Sequence, residues 1–463
     1  MTIFEKNMKV ILRRYPAMAR ELQFSPDNCY QVIMQGYKRP PNLLYSNERD
    51  NVLFYDPHKP LEQISSYLKE LQLERGIIII MLGMGLGYQL KILLSAFEGF
   101  TPMKKVIVVE RDIECMKRAF QVLDMSDVLD KNRVKIIAGS PEEDLYIHIW
   151  NAISPEFGGL KAIKFVPWPA SIRIGGDYYL KVKEAVRDVS SSFIAERGND
   201  PYDNLVAYEN FFENLPFYLS SPGIHHVKGL FHDRPAVVVA AGPSLNKNVH
   251  LLRAINKRAV IISADAALKV IQSNGAMPHF VTTVERTPGT EKFFEGISGL
   301  ERTVLAVASF TYPNTLLSYP GPFMFMHRIY NFYETLGIDQ DSFEMGGTTA
   351  HCAFALARHM GCNPIIFIGQ DLAYGNDGVT HARGCAFGER QSYALEAKRI
   401  KVPANMGGVV ETCSLWLRLL REYERTLNTF SGLAINATEG GAKIRGTKVM
   451  TFQEAIDKFC KDE

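Results

Sequence analysis

One pattern limits what this chain can fold into. Short, wholly apolar, β-branched runs alternate with segments of helical spacing. GIIIIMLGMGLGYQL (from residue 76), KVIVVERD (105–112) and RVKIIAG (133–139) form a first group. RPAVVVAAGPSL (234–245), RAVIISADAAL (258–268), HFVTTVE (279–285), TVLAVASF (303–310), PFMFMHR (322–328) and NPIIFIGQDLAY (363–374) form a second. Runs with no polar alternation belong to strands buried on both faces, which means parallel sheets covered by helices. The expected fold class is therefore α/β, with two Rossmann-like parallel-sheet domains, a helical connector and C-terminal helices.

The remaining segments fill in that frame. Residues 1–60 read as a β-rich cap, with YQVIMQGY (30–37) and NVLFYDP (51–57) as strands. Residues 61–171 read as the first Rossmann-like domain, opened by the amphipathic LEQISSYLKELQLE. Residues 172–225 carry two stretches of helical spacing and then SSPGIHH, and read as the connector. Residues 226–391 hold the second sheet. Residues 392–463 read as helices packing on it, SLWLRLLREYERTL and TFQEAIDKFCKD, with the loop INATEGGAKIRG between them.

Composition excludes several classes. With 463 residues, 46% hydrophobic and 22% charged, the chain is neither disordered, fibrous nor a coiled coil. A net charge of +2 gives no whole-protein field for nucleic acid. Seven scattered cysteines without a C-x-x-C pair suggest neither a disulfide framework nor a zinc cluster. The charged N-terminus is unlike a signal peptide, and the longest apolar run, Ile77 to Met84, falls far short of the ~20 residues of a membrane span. The expectation is a cytoplasmic protein with no membrane partner, no metal site and no tightly bound cofactor.

Two groups of residues are candidates for chemistry. In the first domain Gly83, Gly85 and Gly87 follow a buried strand, and Glu110 ends the next one. Such glycines can bring backbone amides to a ligand, and such an acid can accept ribose hydroxyls. The layout resembles the cofactor-binding start of class I methyltransferases and, less closely, a dinucleotide fold. NDPY (199–202) resembles the amino-methyltransferase tetrapeptide, but it follows a Ser-rich helical stretch, and FVPWPA stands where the fourth strand should end. A domain kept for docking is the competing reading.

The second group is denser. Gly242, Pro243 and Ser244 follow the first strand of the second sheet, Asp265 the next and Glu285 the one after. Ser309 follows the fourth. Gly346, Gly347, Thr348 and Thr349 open a small-residue helix, and Gln370, Asp371 and Tyr374 follow a later strand. His381 lies in the loop GNDGVTHA, and Glu439 and Gly440 in NATEGGA. In an open parallel sheet ligands bind beyond the carboxyl ends of the strands, so these residues would converge on one cleft. Glycine turns and hydroxyls suit a phosphate, the two aspartates suit hydroxyls or a cation, and a loop histidine suits a general base. Taken singly, each also reads as an ordinary turn, cap or surface group. His351 and His279 read as structural.

The strings VVVAAGPSL (237–245), IISADAAL (261–268), GGTTAHCAFALARHMGCNPIIFIGQDLAY (346–374) with THA (380–382), and NATEGGAKIRG (436–446) resemble the motility-accessory-factor (Maf) family of flagellin glycosyltransferases. That family shares a domain with 6-hydroxymethylpterin diphosphokinase-like proteins. The core is also similar to the family 42 sialyltransferases. There an Asn precedes the Gly-Pro-Ser-Leu turn, where this chain has Ala241, and a second Asn stands where it has Asp265. The resemblance implies transfer of a nonulosonic acid, of pseudaminic or legionaminic type, from a CMP-activated donor to Ser or Thr hydroxyls of flagellin. It implies His381 as base, Asp371 as second candidate, and the remaining turn residues on the donor. An ATP-dependent pterin diphosphokinase and a non-enzymatic flagellin-binding scaffold are the alternatives.

Overall fold

The structure is a computed structural model. It describes residues 1–36, 39–98, 104–153, 162–197, 201–327, 336–337, 344–391, 394 and 396–461. Asn199 and Asp200 of NDPY lie outside these residues, as do Gly198, Arg328 and Asp462 at segment ends and residue 392 at the last boundary. The chain forms two compact units, Met1–Ala195 and Glu196–Glu463.

The first unit opens with helices Ile3–Arg14 and Pro16–Phe24. An antiparallel sheet of β1 (Tyr30–Ile33), β2 (Asn42–Ser46) and β3 (Asn51–Leu53) follows. The expected β-rich cap thus holds more helix than strand. The first helix buries Asn7 and Ile11 and packs Phe4 and Met8 beside them, a stripe at i, i+4, i+7 whose helical period is present in the sequence. A second local signal is the capping box of Thr2 with Glu5.

Beyond the cap lies a parallel sheet of β4 (Ile78–Leu82), β5 (Lys105–Glu110), β6 (Val134–Ala138) and β7 (Ile163–Pro167), in order β6-β5-β4-β7. Both faces are covered, as the unbroken apolar runs require. Ile79, Met81, Val106 and Val108 pack with the cap through Ile11, Leu22 and Leu43. Ile78, Ile80, Ile107 and Val109 pack on the other face with Tyr178, Tyr179, Val182 and Val186 of the helix Pro169–Arg197.

The second unit is built on eight parallel strands: β8 (Ala236–Val239), β9 (Val260–Ala264), β10 (Phe280–Thr283), β11 (Val304–Ala308), β12 (Phe323–Met326), β13 (Ile365–Ile368), β16 (Ala434–Asn436) and β17 (Lys448–Val449). Their order is β12-β11-β10-β9-β8-β13-β16-β17. Val238, Ile262, Ala306 and Phe367 face the helix Thr349–His359. Val237, Val239, Ile261 and Ile366 face the helix Phe452–Phe459. A hairpin, β14 (Ile400–Pro403) with β15 (Val409–Thr412), stands apart from the sheet.

Two expectations about boundaries change. Residues 172–225 are not a separate connector. The helix Pro169–Arg197 buries its apolar side in the first unit, while Pro201–Ser220 belongs to the second. There Asn210 and Asn214 donate to carbonyls of Arg286, Ser309, Phe310 and Thr311. The tail is not mainly helical either. It contributes the hairpin and two strands, and β16 and β17 are too short to leave a periodic trace.

Asn7 ties the N-terminal helix to the first sheet's outer layer. Its Nδ2 donates to the Phe120 and Leu123 carbonyls, and its Oδ1 accepts from the Met125 amide. Asn7→Ala removes all three bonds from a fully buried position. It is expected to cost about 2–4 kcal/mol, read as a lower urea midpoint for the first unit's transition.

Candidate active site at a reversal of strand order

From β8 the chain builds outward through β9, β10, β11 and β12 on one side, then returns to add β13, β16 and β17 on the other. The loops leaving β8 and β13 therefore diverge at a topological switch point, where open α/β sheets leave a crevice. Sequence places Gly242-Pro243-Ser244 after β8 and Gln370-Asp371 after β13, on neighbouring strands.

The two loops are joined there. Asp371 Oδ2 accepts from the Ser244 amide at 3.2 Å and the Ser244 hydroxyl at 2.7 Å. The Gly242 amide donates to the Gly369 carbonyl at 2.8 Å. A Cβ at Gly242 would overlap Asp371 Oδ2 and that carbonyl, so only glycine allows the approach. Burial pushes the Asp371 carboxyl up to about 6, against the Ser244 hydrogen bonds and nearby Lys247, which pull it down. The turn is not a phosphate nest, because the amides of Gly242, Ser244 and Leu245 are all spent inside the protein.

A second group surrounds the ends of β9 and β10. Asp265 accepts from the Thr283 hydroxyl and the Ala266 amide, both at 2.7 Å, and Thr349 also reaches it. Burial, with Glu285 nearby, pushes Asp265 up to about 7. Glu285 itself is exposed at the rim. Thr348 caps the helix Thr349–His359, accepting from the His351 amide. Gly346 has a left-handed φ of 71°, and a Cβ there would strike His351. Both threonine hydroxyls expected to meet a phosphate thus have protein partners. The helix's amino end remains the anion-attracting element. Ala240, Ala264 and Ala350 pack together, which sets this helix start against the ends of β8 and β9.

His351 is a core residue. It stacks on Tyr423 at 3.6 Å, and burial, with Arg425 nearby, pushes its pKa down to about 3. Tyr423 in turn donates to Gln370 Oε1 at 2.8 Å. His279 accepts the Ile261 amide and is structural too.

His381 sits at the rim of the switch point. Its neighbour Ala382 donates to the Ala241 carbonyl at 2.9 Å. Thr380 Oγ1 lies 2.9 Å from His381 Nδ1 and 3.1 Å from the Glu389 carbonyl. The Thr380 oxygen also accepts the Gln391 amide at 3.1 Å, so this contact holds the His381 ring by Nδ1. Burial lowers the pKa of His381, so the ring is neutral at pH 7.

Three further residues have roles that their sequence context did not show. Tyr374 turns away from Asp371, donates to the Ala394 carbonyl and lies under the Arg399 guanidinium, beside a cavity of about 260 Å³. Glu439 caps the helix Phe452–Phe459 by accepting the Phe452 amide, and also receives Asn248. Lys247, passed over in the sequence, donates to the Glu439 carbonyl at 2.7 Å and lies close to Asp371. Its position three residues after Ser244 was the available signal.

In the first unit the glycine turn is filled by the protein itself. A Cβ at Gly83 would overlap Ser171, at Gly85 the Tyr55 hydroxyl, and at Gly87 would lie 2.5 Å from Met125 Sδ. The Leu86 amide donates to the Tyr55 hydroxyl at 2.7 Å. Glu110 accepts from the Met84 and Asp112 amides and from Tyr179 at 3.4 Å, and burial with nearby Asp112 pushes it up to about 7. The residues proposed for a second ligand are thus packed against other groups of the same unit. Among the described residues no cluster of three metal-ligating side chains occurs, and no helix is long and apolar enough to cross a membrane.

The candidate site is that of an open parallel α/β protein, at the switch point of its sheet. Residues 209–377 match the family model described as 6-hydroxymethylpterin diphosphokinase MptE-like. The match spans the β8 to β13 turns and stops short of His381 and the NATEGGA loop. The fold is similar to the solved MAf glycosyltransferase from Magnetospirillum magneticum AMB-1, with a TM-score of 0.58 and 17% identity over 97% of this chain and 74% of that one. No curated protein sequence matches the chain. The resemblance read from the sequence thus stands on a domain match and a shared fold.

Asp265 carries a stability signature. Its folded pKa is about 7 against an ordinary 3.8, so between those values the folded chain holds a proton that the unfolded chain has lost. The contribution of Asp265 to stability is complete below pH 3.8 and falls as pH rises toward 7. Asp265→Asn is expected to flatten that fall, measured as urea midpoints across pH 4–8.

Proposed function

We propose that the chain is a glycosyltransferase that moves a nonulosonic acid from a CMP-activated donor to Ser or Thr hydroxyls of flagellin. The observation that carries this reading is the assembly at the switch point. Gly242, Ser244 and Asp371 are locked across β8 and β13, and a neutral His381 is pinned to the same edge through Ala382 and Ala241. The fold shared with a Maf glycosyltransferase supports it.

In this reading the C–O bond between the anomeric carbon and the CMP phosphate breaks, and the acceptor oxygen attacks that carbon. His381 takes the acceptor's proton. The phosphate leaves with the bonding pair, and the amides opening the helix at Thr349 and Ala350 stabilise its charge. The anomeric carbon is tertiary and bears a carboxylate, so the transition state is oxocarbenium-like. Asp265 reads the nucleotide or sugar from the adjoining strand ends. Asp371 is a poorer base than His381, because Ser244 already occupies Oδ2. No step needs a metal or a resident cofactor, and the reaction belongs to the cytoplasm, where flagellin subunits are made.

The match over residues 209–377 favours a second reading, pyrophosphoryl transfer from ATP to a pterin. Thermal shifts with CMP, CTP, ATP with magnesium, and S-adenosylmethionine separate the two. A preference for CMP is expected, whereas one for ATP with magnesium would support the kinase. Intact-mass measurement of flagellin incubated with the protein and donor tests the transfer itself. His381→Ala is expected to lower its rate by roughly 10²–10⁴ while CMP binding persists. The lowered His381 pKa places the acid limb of kcat/KM below pH 6.5. Near wild-type transfer by the alanine variant would remove His381 as the base.

A further inference from the structure

We infer that Asp371 and Lys247 form a subsite for a hydroxyl group of a sugar ring at Gly440. The inference rests on the proposed donor site and says which part of a ligand this corner reads.

Three groups converge there. A Cβ on Gly440 would lie 3.1 Å from Ser244 Cβ, 3.4 Å from Asp371 Oδ1 and 3.7 Å from Lys247 Nζ. Residue 440 has no side chain, so the corner is left to the carboxylate oxygen and the ammonium. Both groups are held in place. Ser244 fixes the other Asp371 oxygen with two donors, and the Glu439 carbonyl holds Lys247 through one of its three protons. Asp371 is buried, Lys247 exposed and Gly440 half-buried, so a ligand group reaches Asp371 Oδ1 past the latter two.

The chemistry selects the ligand group. An anion here would face the Asp371 carboxylate, and the turn's amides are already spent. A cation would face Lys247. A hydroxyl suits both, donating its proton to Asp371 Oδ1 and accepting one from Lys247. A sugar ring carries such groups, and it reaches a CMP-sugar site from two sources: the ribose of the nucleotide or the transferred sugar.

Calorimetric titration of the full chain tests this with CMP, 2′-deoxy-CMP, AMP, 2′-deoxy-AMP and CMP-N-acetylneuraminate. If ribose is the source, the ribonucleotide binds roughly 10–100-fold tighter than its 2′-deoxy partner. If the transferred sugar is the source, CMP-N-acetylneuraminate exceeds CMP by a similar factor and the deoxy pair does not differ. In either case Lys247→Met abolishes the preference, Lys247→Arg restores it, and Asp371→Asn reduces it. A lysine that only holds the NATEGGA loop would weaken all five ligands equally and leave the preference intact, which overturns the inference. So does wild-type binding with neither preference, or binding of none of the five. A ribose preference seen with AMP but no CMP binding keeps the subsite and removes the transferase reading.

Discussion

The second unit depends on one hydrogen-bonded seam. β8 and β13 lie side by side, yet their loops leave in opposite directions, and the space between them would fill with water unless something bridged it. Asp371 is the bridge, taking the Ser244 amide and hydroxyl on one oxygen. Burial makes that carboxylate costly, and two donors with a lysine nearby offset the cost. The approach is so close that residue 242 must be glycine, and the Gly441 backbone then lies directly over Asp371. The NATEGGA loop, the cap on the last helix and the His381 loop are all placed relative to this seam.

Much of this was legible in the sequence, for a physical reason. Parallel strands buried on both faces have no polar alternation, so AVVV, VIIS, VLAVA and IIFI identify themselves. The residue after each strand is where the backbone must turn, so glycine and aspartate there carry information. Gly242, Ser244 and Asp371 meet as their positions at strand ends required. Asp265 and Thr349 meet likewise.

What could not be read depends on contacts distant in sequence. That Tyr374 gives its hydroxyl to Ala394 and lies beneath Arg399 is a matter of tertiary packing. The same holds for Glu439, expected on the donor and found accepting the amide of Phe452 at the start of the last helix. Lys247 was passed over, because nothing in NKN says that residue 440 comes within reach. The first N-terminal helix was legible and was passed over, since Phe4, Met8 and Ile11 recur at helical spacing behind the Thr2–Glu5 capping box. β16 and β17 were missed because two or three residues have no period.

The filled glycine turn of the first unit has a consequence for the amides it presents. A Rossmann-like domain that binds a diffusible cofactor gains stability in proportion to the logarithm of its ligand's concentration. Here the Tyr55 hydroxyl receives the Leu86 amide, a donor such a ligand would otherwise use, and Tyr55 is part of the same chain. Its effective concentration is set by folding alone. The Leu86 amide is therefore satisfied at every nucleotide concentration.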